Sequence, residues 1–510
     1  MSSINDKIAN YLVSELTPRG KSFTMHEYDD VSHYSGITND PDIGYAGIPR
    51  FSTVIFRVWG THFHFFVVSL PKRQTFNVMR TITKSILFLI IMITSVAGTF
   101  AASPGGNDGF VTVQDGQFML NGKPYRFIGT NMWYASILAS EGEGGNRKLL
   151  CRELDRLKKL GITNLRIMVG ADGEEGLTSH VRPVLQKAPG VYNDTLLQGL
   201  DYLLVEMERR QMKGVFYLTN SWEWSGGYSA YCEWAGLGKA LIPRVDGYKE
   251  YVNYVKQFVL NDKAKEMYLR HVRTIVGRTN SITGKPYSES PAIMAWQISN
   301  EPRAFSREGL DEFVDWLLTA ARTIKRIDSR HLVSTGTEGK YGFEFSLDHW
   351  TKVHSAPEID YAIIHIWPVT WRWVRRDEVF TAVDRACSMS KKYITQHHDA
   401  IKPFGKPLVL EEFGYHRNDF SFTPGSPTSA RDRYYEYILS MLCNDDLLAA
   451  CNFWAWSGEA RPAHLWWEPW DDYTGDPAQE EQGLYSVFDN DKSTLNIIRT
   501  YTKLLKKTCK

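Results

Sequence analysis

The sequence has few features of a metalloprotein or of a protein that binds a polyanion. Its six cysteines form no CxxC pair and no cluster with histidine, which excludes the usual zinc and dithiol motifs. The formal net charge of +1 provides no attraction for nucleic acid or for an anionic membrane surface. With 43% hydrophobic and 23% charged residues, the composition is that of an ordinary globular protein. We therefore expect no nucleic-acid partner, no metal and no organic cofactor.

One long apolar run is present, near residue 90, and it is too short for a comfortable membrane span. Arg80 and Lys84 precede it as a basic region, Ile86 to Ala97 form its apolar core, and small residues around Ala101 provide a cleavage site. This order is typical of a secretory signal peptide, and an uncleaved anchor or a buried helix is the alternative. We predict a signal peptide at residues 79–101 and a secreted protein, either extracellular or periplasmic.

The segment before this run shows no clear periodic pattern and no capped element. Because a signal peptide ordinarily begins a protein, we interpret Met79 as the start of translation and residues 1–78 as an upstream extension that is no part of the fold. Residues 102–510 then form one folded domain, and no internal repeat, linker or low-complexity tract interrupts it. We expect this domain to be a monomer with no membrane association after signal cleavage.

From residue 109 the chain alternates between short apolar runs and amphipathic helical patterns. The stretch GFVTVQDGQFMLNGKPYRF, with DG and NG turns between alternating apolar residues, predicts a short β-hairpin. Eight apolar runs follow, separated by helical patterns of which the one before the sixth run is the least regular: RFIGTN, TNLRIMV, GVFYLTN, AIMAWQIS, HLVSTGT, IDYAIIHIW, PLVLEEF and AACNFWAW. Eight such alternations predict an α/β fold, a (β/α)8 TIM barrel rather than a doubly wound sheet, with a short N-terminal β-hairpin.

Carboxylates stand at the ends of two of these runs. Asn300 and Glu301 follow the fourth run, and Glu411 and Glu412 end the seventh. Active sites of parallel barrels lie at the carboxyl ends of the strands, where strands four and seven face each other. Retaining glycoside hydrolysis uses such a pair, a carboxylic acid that protonates the leaving oxygen and a carboxylate nucleophile. Because side chains alternate along a strand, only one of Glu411 and Glu412 should point into the barrel mouth, with the other solvated or ion-paired, and alternation does not decide which.

Six segments in combination resemble one enzyme family. They are AWQISNEPR, LVLEEFG, NLRIMVG, YLTNSWEWSGGYSAYCEWAG, YAIIHIWPVTW and NFWAWSG, and they are similar to motifs of glycoside hydrolase family 5, specifically its endo-β-1,4-mannanase group within clan A. The likeness spans residues 109–507. It implies a TIM barrel that hydrolyses internal β-1,4-mannosidic bonds with retention of the anomeric configuration and without a cofactor.

The resemblance also implies roles for individual residues. The nucleophile of the family directly precedes Phe-Gly, which is the position of Glu412, and Glu301 matches the acid/base. Arg166, at the end of the second strand, would bond the nucleophile, and Asn300 would bond the sugar 2-hydroxyl. Arg166 would then favour the ionised form of Glu412, whereas Glu301, which faces a second carboxylate across a partly dry cleft, should carry a proton at rest.

His365 and Trp454 match family positions that line the reacting sugar. One position departs from the family pattern. Where the clan commonly has a tyrosine two residues after this histidine, in contact with the nucleophile, the chain has Trp367. An indole N–H donates a hydrogen bond but cannot accept one or ionise. We expect either altered tuning of the nucleophile or a sugar platform at Trp367.

Tryptophan and tyrosine are abundant, with 16 and 26 residues, many of them beside Gly, Pro and Asp where core packing alone would not place them. Their flat apolar faces suit the C–H faces of sugar rings. Trp133, at the end of the first strand, is a candidate platform, and two or three of seven loop tryptophans should also line a sugar cleft: Trp222, Trp224, Trp371, Trp373, Trp466, Trp467 and Trp470. The acidic stretch around the last three lacks the spacing of a calcium loop and should form a wall of that cleft.

The sequence therefore predicts a secreted, retaining endo-β-1,4-mannanase, a glycoside hydrolase that acts on mannan, glucomannan or galactomannan by double displacement. Its substrate-binding residues are predicted to be Arg166, Asn300, His365, Trp367, Trp454 and Trp133. Two alternatives remain open: an endo-β-1,4-glucanase of the same family, and a carbohydrate-binding barrel without activity. A separation of more than about 8 Å between the carboxyl groups of Glu301 and Glu412 would contradict the prediction.

Overall fold

The computed structural model describes residues 51–58, 61–68 and 109–508. The chain divides into two units, residues 1–103 and residues 104–510. In the first unit Phe51–Val58 and Thr61–Val68 form an antiparallel hairpin, which the sequence pattern did not predict. The predicted signal peptide, residues 79–101, lies outside the described residues. Within those residues, no helix is both long enough and apolar enough to cross a membrane.

Eight parallel strands form the central sheet of the second unit. In chain order they are β1 (Phe127–Asn131), β2 (Asn164–Met168), β3 (Lys213–Tyr217), β4 (Ile293–Gln297), β5 (Leu332–Ser334), β6 (Ala362–Ile366), β7 (Leu408–Phe413) and β8 (Ala450–Phe453). Consecutive strands pair from β1 to β5 and from β6 to β8, and β8 pairs with β1. Between β5 and β6, the N–H of Asp360 donates to the carbonyl of Val333 at 2.8 Å. The sheet thus closes on itself, which confirms the predicted TIM barrel.

Each strand is followed by a helix that packs on the outside of the barrel. The helices are α1 (Arg147–Leu160), α2 (Asp194–Arg209), α3 (Asp262–Val276), α4 (Leu310–Ile327), α5 (Leu347–His354), α6 (Val383–Ile401), α7 (Ser429–Asn444) and α8 (Lys492–Thr508). Local sequence patterns are enough to predict these helices. In α1, buried leucines recur at 150, 154 and 157, and the side chain of Asn146 caps the first turn by accepting from the N–H of Leu149 at 3.0 Å.

A small antiparallel sheet closes the amino-terminal end of the barrel. It consists of Val111–Gln114, Gln117–Leu120 and Lys123–Pro124, so the predicted hairpin is present and gains a third, two-residue strand. From this sheet the buried ring of Phe118 packs edge-on against Tyr361, with ring centroids 5.3 Å apart. With that end filled, a substrate can reach the barrel axis only from the carboxyl ends of the strands.

Further short elements lie in the loops. The helices are Ala135–Leu138, Gly227–Ala235, Pro243–Asp246 and Tyr248–Val255, and two short strand pairs are Gln186–Ala188 with Val191–Tyr192 and Trp456–Gly458 with Val487–Phe488. Single 3-10 turns are Glu223–Ser225, Tyr287–Glu289, Lys340–Phe343, Arg376–Glu378, Lys402–Phe404 and Asn418–Phe420. The loops after β3, β6 and β8 supply most of the walls around the candidate site.

Candidate active site

Glu301 is held four residues beyond the end of β4 by backbone contacts. Its φ of +44° lies in the left-handed region, which costs about 1 to 3 kcal/mol for a residue other than glycine. The N–H of Glu301 donates to the carbonyl of Gly336 at 2.9 Å, and the hydroxyl of Ser221 donates to the carbonyl of Glu301. A Cβ at Gly336 would lie 1.7 Å from the carbonyl oxygen of Ser299, so only glycine permits this approach. Glu301 is 8% exposed and lines a cleft at the barrel mouth.

Glu411 and Glu412 lie on β7 at a break in the strand register. Ile364 of β6 pairs with Leu410, but the next residue, His365, pairs with Glu412, so Glu411 is the extra residue of a bulge. The carboxylate of Glu411 accepts from the hydroxyl of Tyr361 at 3.0 Å inside the barrel, whereas Glu412 lines the cleft.

Of the two glutamates only Glu412 lines the cleft, as expected, but the alternation that should send them to opposite faces of β7 is interrupted. Both residues are at most 2% exposed, and both approach Arg166, because the bulge breaks the period of two. Of the two environments expected for the second glutamate, solvated or ion-paired, Glu411 has the ion-paired one.

Glu301, His365 and Glu412 meet at the centre of the barrel mouth. One carboxylate oxygen of each glutamate and one ring nitrogen of the histidine all lie within 4.8 Å of one another. The two glutamates are therefore closer than the limit of about 8 Å set above and near the roughly 5 to 5.5 Å of retaining glycosidases. Nδ1 of His365 lies 2.9 Å from Glu301 Oε1 and 3.2 Å from Glu412 Oε2, so a proton on Nδ1 can be donated to either carboxylate.

Within the described chain, these three residues also form the one group whose atoms could hold a metal ion. Their carboxylate oxygens, however, already accept several N–H groups. Glu301 Oε2 accepts from Trp222 Nε1 at 2.7 Å, Glu301 Oε1 accepts from Trp367 Nε1 at 3.1 Å, and Glu412 Oε1 accepts from Arg166. Carboxylates that already accept hydrogen bonds in this way are better suited to proton transfer than to coordination of a cation.

Arg166 is the middle residue of β2 and not at its end as predicted; it is fully buried and bonds to most groups of the site. It donates to Glu412 through one terminal nitrogen and to the Asn300 side-chain oxygen through the other, at 2.9 Å. Its Nε donates to the Gln297 side-chain oxygen at 2.8 Å and lies 3.5 Å from Glu411. One guanidinium thus fixes the positions of both neighbouring glutamates and of Asn300, as predicted for a residue that bonds Glu412.

Burial dominates the electrostatics of the site. It raises the pKa of the Glu412 carboxyl well above its usual value, the Arg166 guanidinium lowers that pKa again, and the charge of Glu301 raises it. Burial also lowers the pKa of His365 well below its usual value, which keeps the imidazole neutral near neutral pH. The predicted distribution, with the charge on Glu412 and the proton on Glu301, stays a prediction.

The cleft, which has a volume of about 920 Å³, is lined by aromatic rings and by carboxylates. The aromatic residues are Trp222, Trp224, Tyr248, Tyr341, Phe345, Trp367, Trp371, Trp454, Trp466 and Tyr485, and the glutamates are Glu223, Glu301, Glu338, Glu412 and Glu480. Four of the seven loop tryptophans line it, not two or three as expected. Trp466 and Glu480 show that the acidic stretch after β8 does contribute to a wall of the cleft.

Trp133 and Trp367 are placed differently from their expected roles. Trp133 is 2% exposed, donates to the Gly475 carbonyl at 3.1 Å, packs edge-on against Trp224, and is not among the described residues that line the cleft. Trp133 therefore packs against other aromatic side chains beneath the loops and is not placed as the sugar platform that the sequence predicted. The indole N–H of Trp367 bonds to Glu301 and not to Glu412, while Trp454 and Asn300 do line the cleft.

Sequence reasoning missed several residues of the site. Trp222 was counted among candidate platforms, but its bond to Glu301 was not foreseen. Glu338, which is 1% exposed, forms an ion pair with Arg303 beside Glu301. The arginine directly after the Asn-Glu-Pro motif was a usable signal for that pair. Glu480 comes from a long loop with no periodic pattern, and no local signal marks it.

Comparisons with known proteins agree with this geometry. A family model for glycoside hydrolase family 5 mannosidases, described as GH family 5 beta-mannosidase-like, matches residues 108–510. A mannan endo-1,4-beta-mannosidase of Solanum lycopersicum is 30% identical over 345 residues, which are 65% of this chain and 76% of the relative. A mannan endo-1,4-beta-mannosidase of Arabidopsis thaliana is 29% identical over 352 residues, 66% of this chain and 77% of the relative. The solved structure of a family 5 mannosidase from Rhizomucor miehei is 31% identical, with a TM-score of 0.71, and the match covers 79% of this chain and 99% of that one.

Proposed function

The chain belongs to glycoside hydrolase family 5, and from this premise we propose that it hydrolyses internal β-1,4-mannosidic bonds of mannan, glucomannan or galactomannan. The observation that carries the proposal is the pair Glu301 and Glu412, whose carboxylate oxygens lie within 4.8 Å of each other in an aromatic cleft. The names of the relatives support β-mannan as the substrate class.

In the first step Glu301 donates a proton to the glycosidic oxygen while Glu412 attacks the anomeric carbon, so that the leaving sugar departs as an alcohol. The new bond neutralises Glu412. In the second step Glu301, now ionised, removes a proton from water, which attacks the anomeric carbon and releases Glu412. Two inversions at one carbon give a product that retains the β configuration.

The surrounding residues support these two roles. Arg166 opposes the effect of burial and so favours the ionised form of Glu412 that must attack. The N–H groups of Trp222, Trp367 and His365 orient Glu301, and they bond most strongly to the carboxylate form that serves as base in the second step. The rings of Trp367 and Trp454, which meet at 85°, offer two faces to a sugar.

Hydrolysis of mannan by the wild type, Glu301→Gln and Glu412→Gln tests the proposal. Each substitution should lower the turnover by about 10²- to 10⁴-fold, because it removes the acid/base or the nucleophile. Glu266→Gln, at an exposed glutamate on α3, is the matched control and should hydrolyse mannan as the wild type does. A wild type that binds mannan without cutting it would support the carbohydrate-binding barrel instead. Faster hydrolysis of carboxymethylcellulose than of mannan would support the glucanase.

A second candidate is a β-mannosidase that removes mannose from a chain end. The guanidinium of Arg244 stacks on the ring of Trp466 at 3.6 Å, and this contact joins the loops after β3 and β8, which both line the cleft. A contact of this kind favours a cleft that is closed on one side, as removal of mannose from a chain end requires. The similar protein from Rhizomucor miehei is also named a mannosidase. The products of mannohexaose in labelled water decide between the two: an endo enzyme gives di-, tri- and tetrasaccharides first, whereas an exo enzyme gives mannose and the pentasaccharide. The same experiment reports the stereochemistry.

Secretion belongs to the proposal as well. The order of basic, apolar and small residues at 79–101 supports a signal peptide, with residues 1–78 as an upstream extension. Expression from Met79 should give a mature protein that begins near Ala102, as measured by mass spectrometry of the exported chain. A product that keeps the apolar run would support the anchor instead.

A further inference from the structure

A second cavity, which we name the side cavity, opens beside the cleft. It has a volume of about 520 Å³ and lies between the loops after β6, β7 and β8. Thr370, Arg372 and Tyr485 line both the cleft and the side cavity. The hydroxyls of Thr370 and Tyr485 are 3.2 Å apart. A chain lying in the cleft therefore passes the entrance of the side cavity, and a branch on that chain could enter it.

The charged residues that line the side cavity are all arginines, whereas the cleft is lined by both glutamates and arginines. Arg372, Arg375 and Arg376 line it, and no acidic residue is among the described residues that do so. Two of these arginines have carboxylate partners outside the cavity lining: Arg375 pairs with the exposed Asp377, and Arg376 lies 3.8 Å from Glu481. Within the described part of the chain, Arg372 has no carboxylate at ion-pairing distance. An anionic group in this cavity would therefore meet positive charge, and at Arg372 it would meet it without a competing carboxylate.

The backbone places Arg372 at the boundary between the two spaces. Its φ of +59° lies in the left-handed region, where residues other than glycine are uncommon. The turn is closed by a hydrogen bond from the Arg372 N–H to the carbonyl of Val369 at 2.9 Å. Strained conformations of this kind cluster at binding and catalytic sites, and Arg372 lines both the cleft and the side cavity.

The walls of the side cavity also offer faces for a ring. The ring of His416 lies between Phe420, at 4.2 Å, and Tyr485, at 4.5 Å, and the guanidinium of Arg376 lies 4.7 Å above the ring of Phe420. His416 is 2% exposed, and its Nε2 has no hydrogen-bond partner among the described residues. Flat faces, an unpartnered ring nitrogen and forked donors are the groups that bind a sugar acid.

We propose that the side cavity binds a carboxylate-bearing branch, a uronosyl residue attached to the β-mannan backbone that lies in the cleft. Arg372 and Arg376 contact the carboxylate, and Phe420 and Tyr485 contact the ring. This inference rests on the proposed function for the identity of the backbone. The enzyme thereby favours acidic, branched mannans over linear mannan and over galactomannan, whose branches are neutral.

Kinetics on three substrates test the preference. We compare kcat/KM for linear mannan, galactomannan and a mannan with glucuronosyl branches, for the wild type, Arg372→Gln and Arg376→Gln. Each substitution should lower the ratio of the glucuronosyl substrate to linear mannan by about three- to tenfold, because it removes a charge-assisted hydrogen bond at a partly exposed site. Arg273→Gln, at an exposed and ion-paired arginine on α3, is the control and should keep the wild-type ratio. Equal ratios in all four proteins would overturn the proposal, as would a preference for galactomannan.

A binding measurement keeps the test independent of hydrolysis. Methyl α-D-glucuronoside and methyl α-D-galactoside are titrated against the folded wild type and Arg372→Gln, with protein NMR shifts as the readout. The glucuronoside should bind more tightly than the galactoside, and Arg372→Gln should remove the difference, whereas Arg372→Lys should keep part of it. Binding of the glucuronoside without any mannan hydrolysis would refute the proposed function and leave the side cavity supported. Mannan hydrolysis with equal binding of both glycosides would support the proposed function and refute the proposal for the side cavity.

Discussion

The cleft and the side cavity are built in part from the same loops, yet their charged residues differ: the cleft has glutamates together with Arg244, Arg303 and Arg372, whereas the side cavity has arginines alone. Five glutamates line the cleft, and four of these, Glu223, Glu301, Glu338 and Glu412, are at most 8% exposed. The charges of the side cavity come from exposed arginines on one loop, with Arg375 and Arg376 about 70% exposed. Buried charges interact strongly and are little affected by salt, whereas exposed charges are screened. The comparison predicts that changes in the cleft alter rates by orders of magnitude and that changes in the side cavity alter only preference.

Arg166→Gln should have the largest effect of the variants that leave both cleft glutamates in place. Loss of the buried charge leaves Glu411 and Glu412 uncompensated, and a broken buried pair costs about 3 to 5 kcal/mol of stability. Because Arg166 lowers the pKa of Glu412, its removal should raise that pKa. Glu412 would then ionise only at higher pH, so the acid limb of kcat/KM moves to higher pH, and the rate at the optimum falls by about 10²- to 10³-fold.

The pH profile and the thermal unfolding of this variant check both effects. Arg166→Lys is the control, because lysine keeps the positive charge but lacks the forked set of N–H donors of the guanidinium. Its acid limb should stay near that of the wild type although its rate falls. An acid limb that does not move in Arg166→Gln would show that Glu412 is not the group whose ionisation limits activity at low pH.

Glu411→Gln should have the next largest effect. Glu411 is not among the described residues that line the cleft, but its carboxylate lies 3.5 Å from Arg166 and accepts from Tyr361 at 3.0 Å. The neutral amide keeps the shape and loses the charge, so Arg166 should shift toward Glu412. A misplacement of this kind can cost about 10²-fold, and we expect a fall in kcat of about 10- to 100-fold with KM little changed. A change in KM alone would mean that Glu411 acts on sugar binding and not on the position of Arg166.

The site residues that lie at strand ends were predictable from the sequence. Those whose position depends on strand register or on the path of a loop were not. The eight apolar runs place Glu301 and Glu412 because the ends of parallel strands must meet at one end of a barrel. The inward position of Glu411 depends on a bulge in β7, and a prediction that assumes strict alternation of side chains cannot include a bulge. The bond from Trp222 to Glu301 depends on the path of the loop after β3, and the side cavity needs three loops that are distant in sequence.

Trp367→Phe should have a smaller effect than either charge substitution. It keeps the aromatic face toward the cleft and removes the N–H that bonds to Glu301 at 3.1 Å. Loss of one hydrogen bond to a carboxylate costs about 1.5 to 3 kcal/mol, of which Trp222 and His365 should restore part, so we expect a fall in kcat of about tenfold. Trp373→Phe, on the same loop but not among the described residues that line the cleft, is the control. If Trp367 acted only as a platform, the phenylalanine variant would keep kcat and change KM.

Salt should have the smallest effect, and it separates the two regions without any substitution. Raising the ionic strength from about 0.01 M to about 0.5 M shortens the screening length from about 30 Å to less than 10 Å. The exposed arginines of the side cavity should then attract a uronosyl branch less, so the ratio of kcat/KM for the glucuronosyl mannan to that for linear mannan should fall about two- to threefold. The rate on linear mannan should stay nearly constant, because Arg166 is fully buried and its pairing with Glu412 is out of reach of the salt. Equal loss on both substrates would mean that salt acts on the reaction in the cleft and not on the attraction of a charged branch, and the distinction between the two regions would fail.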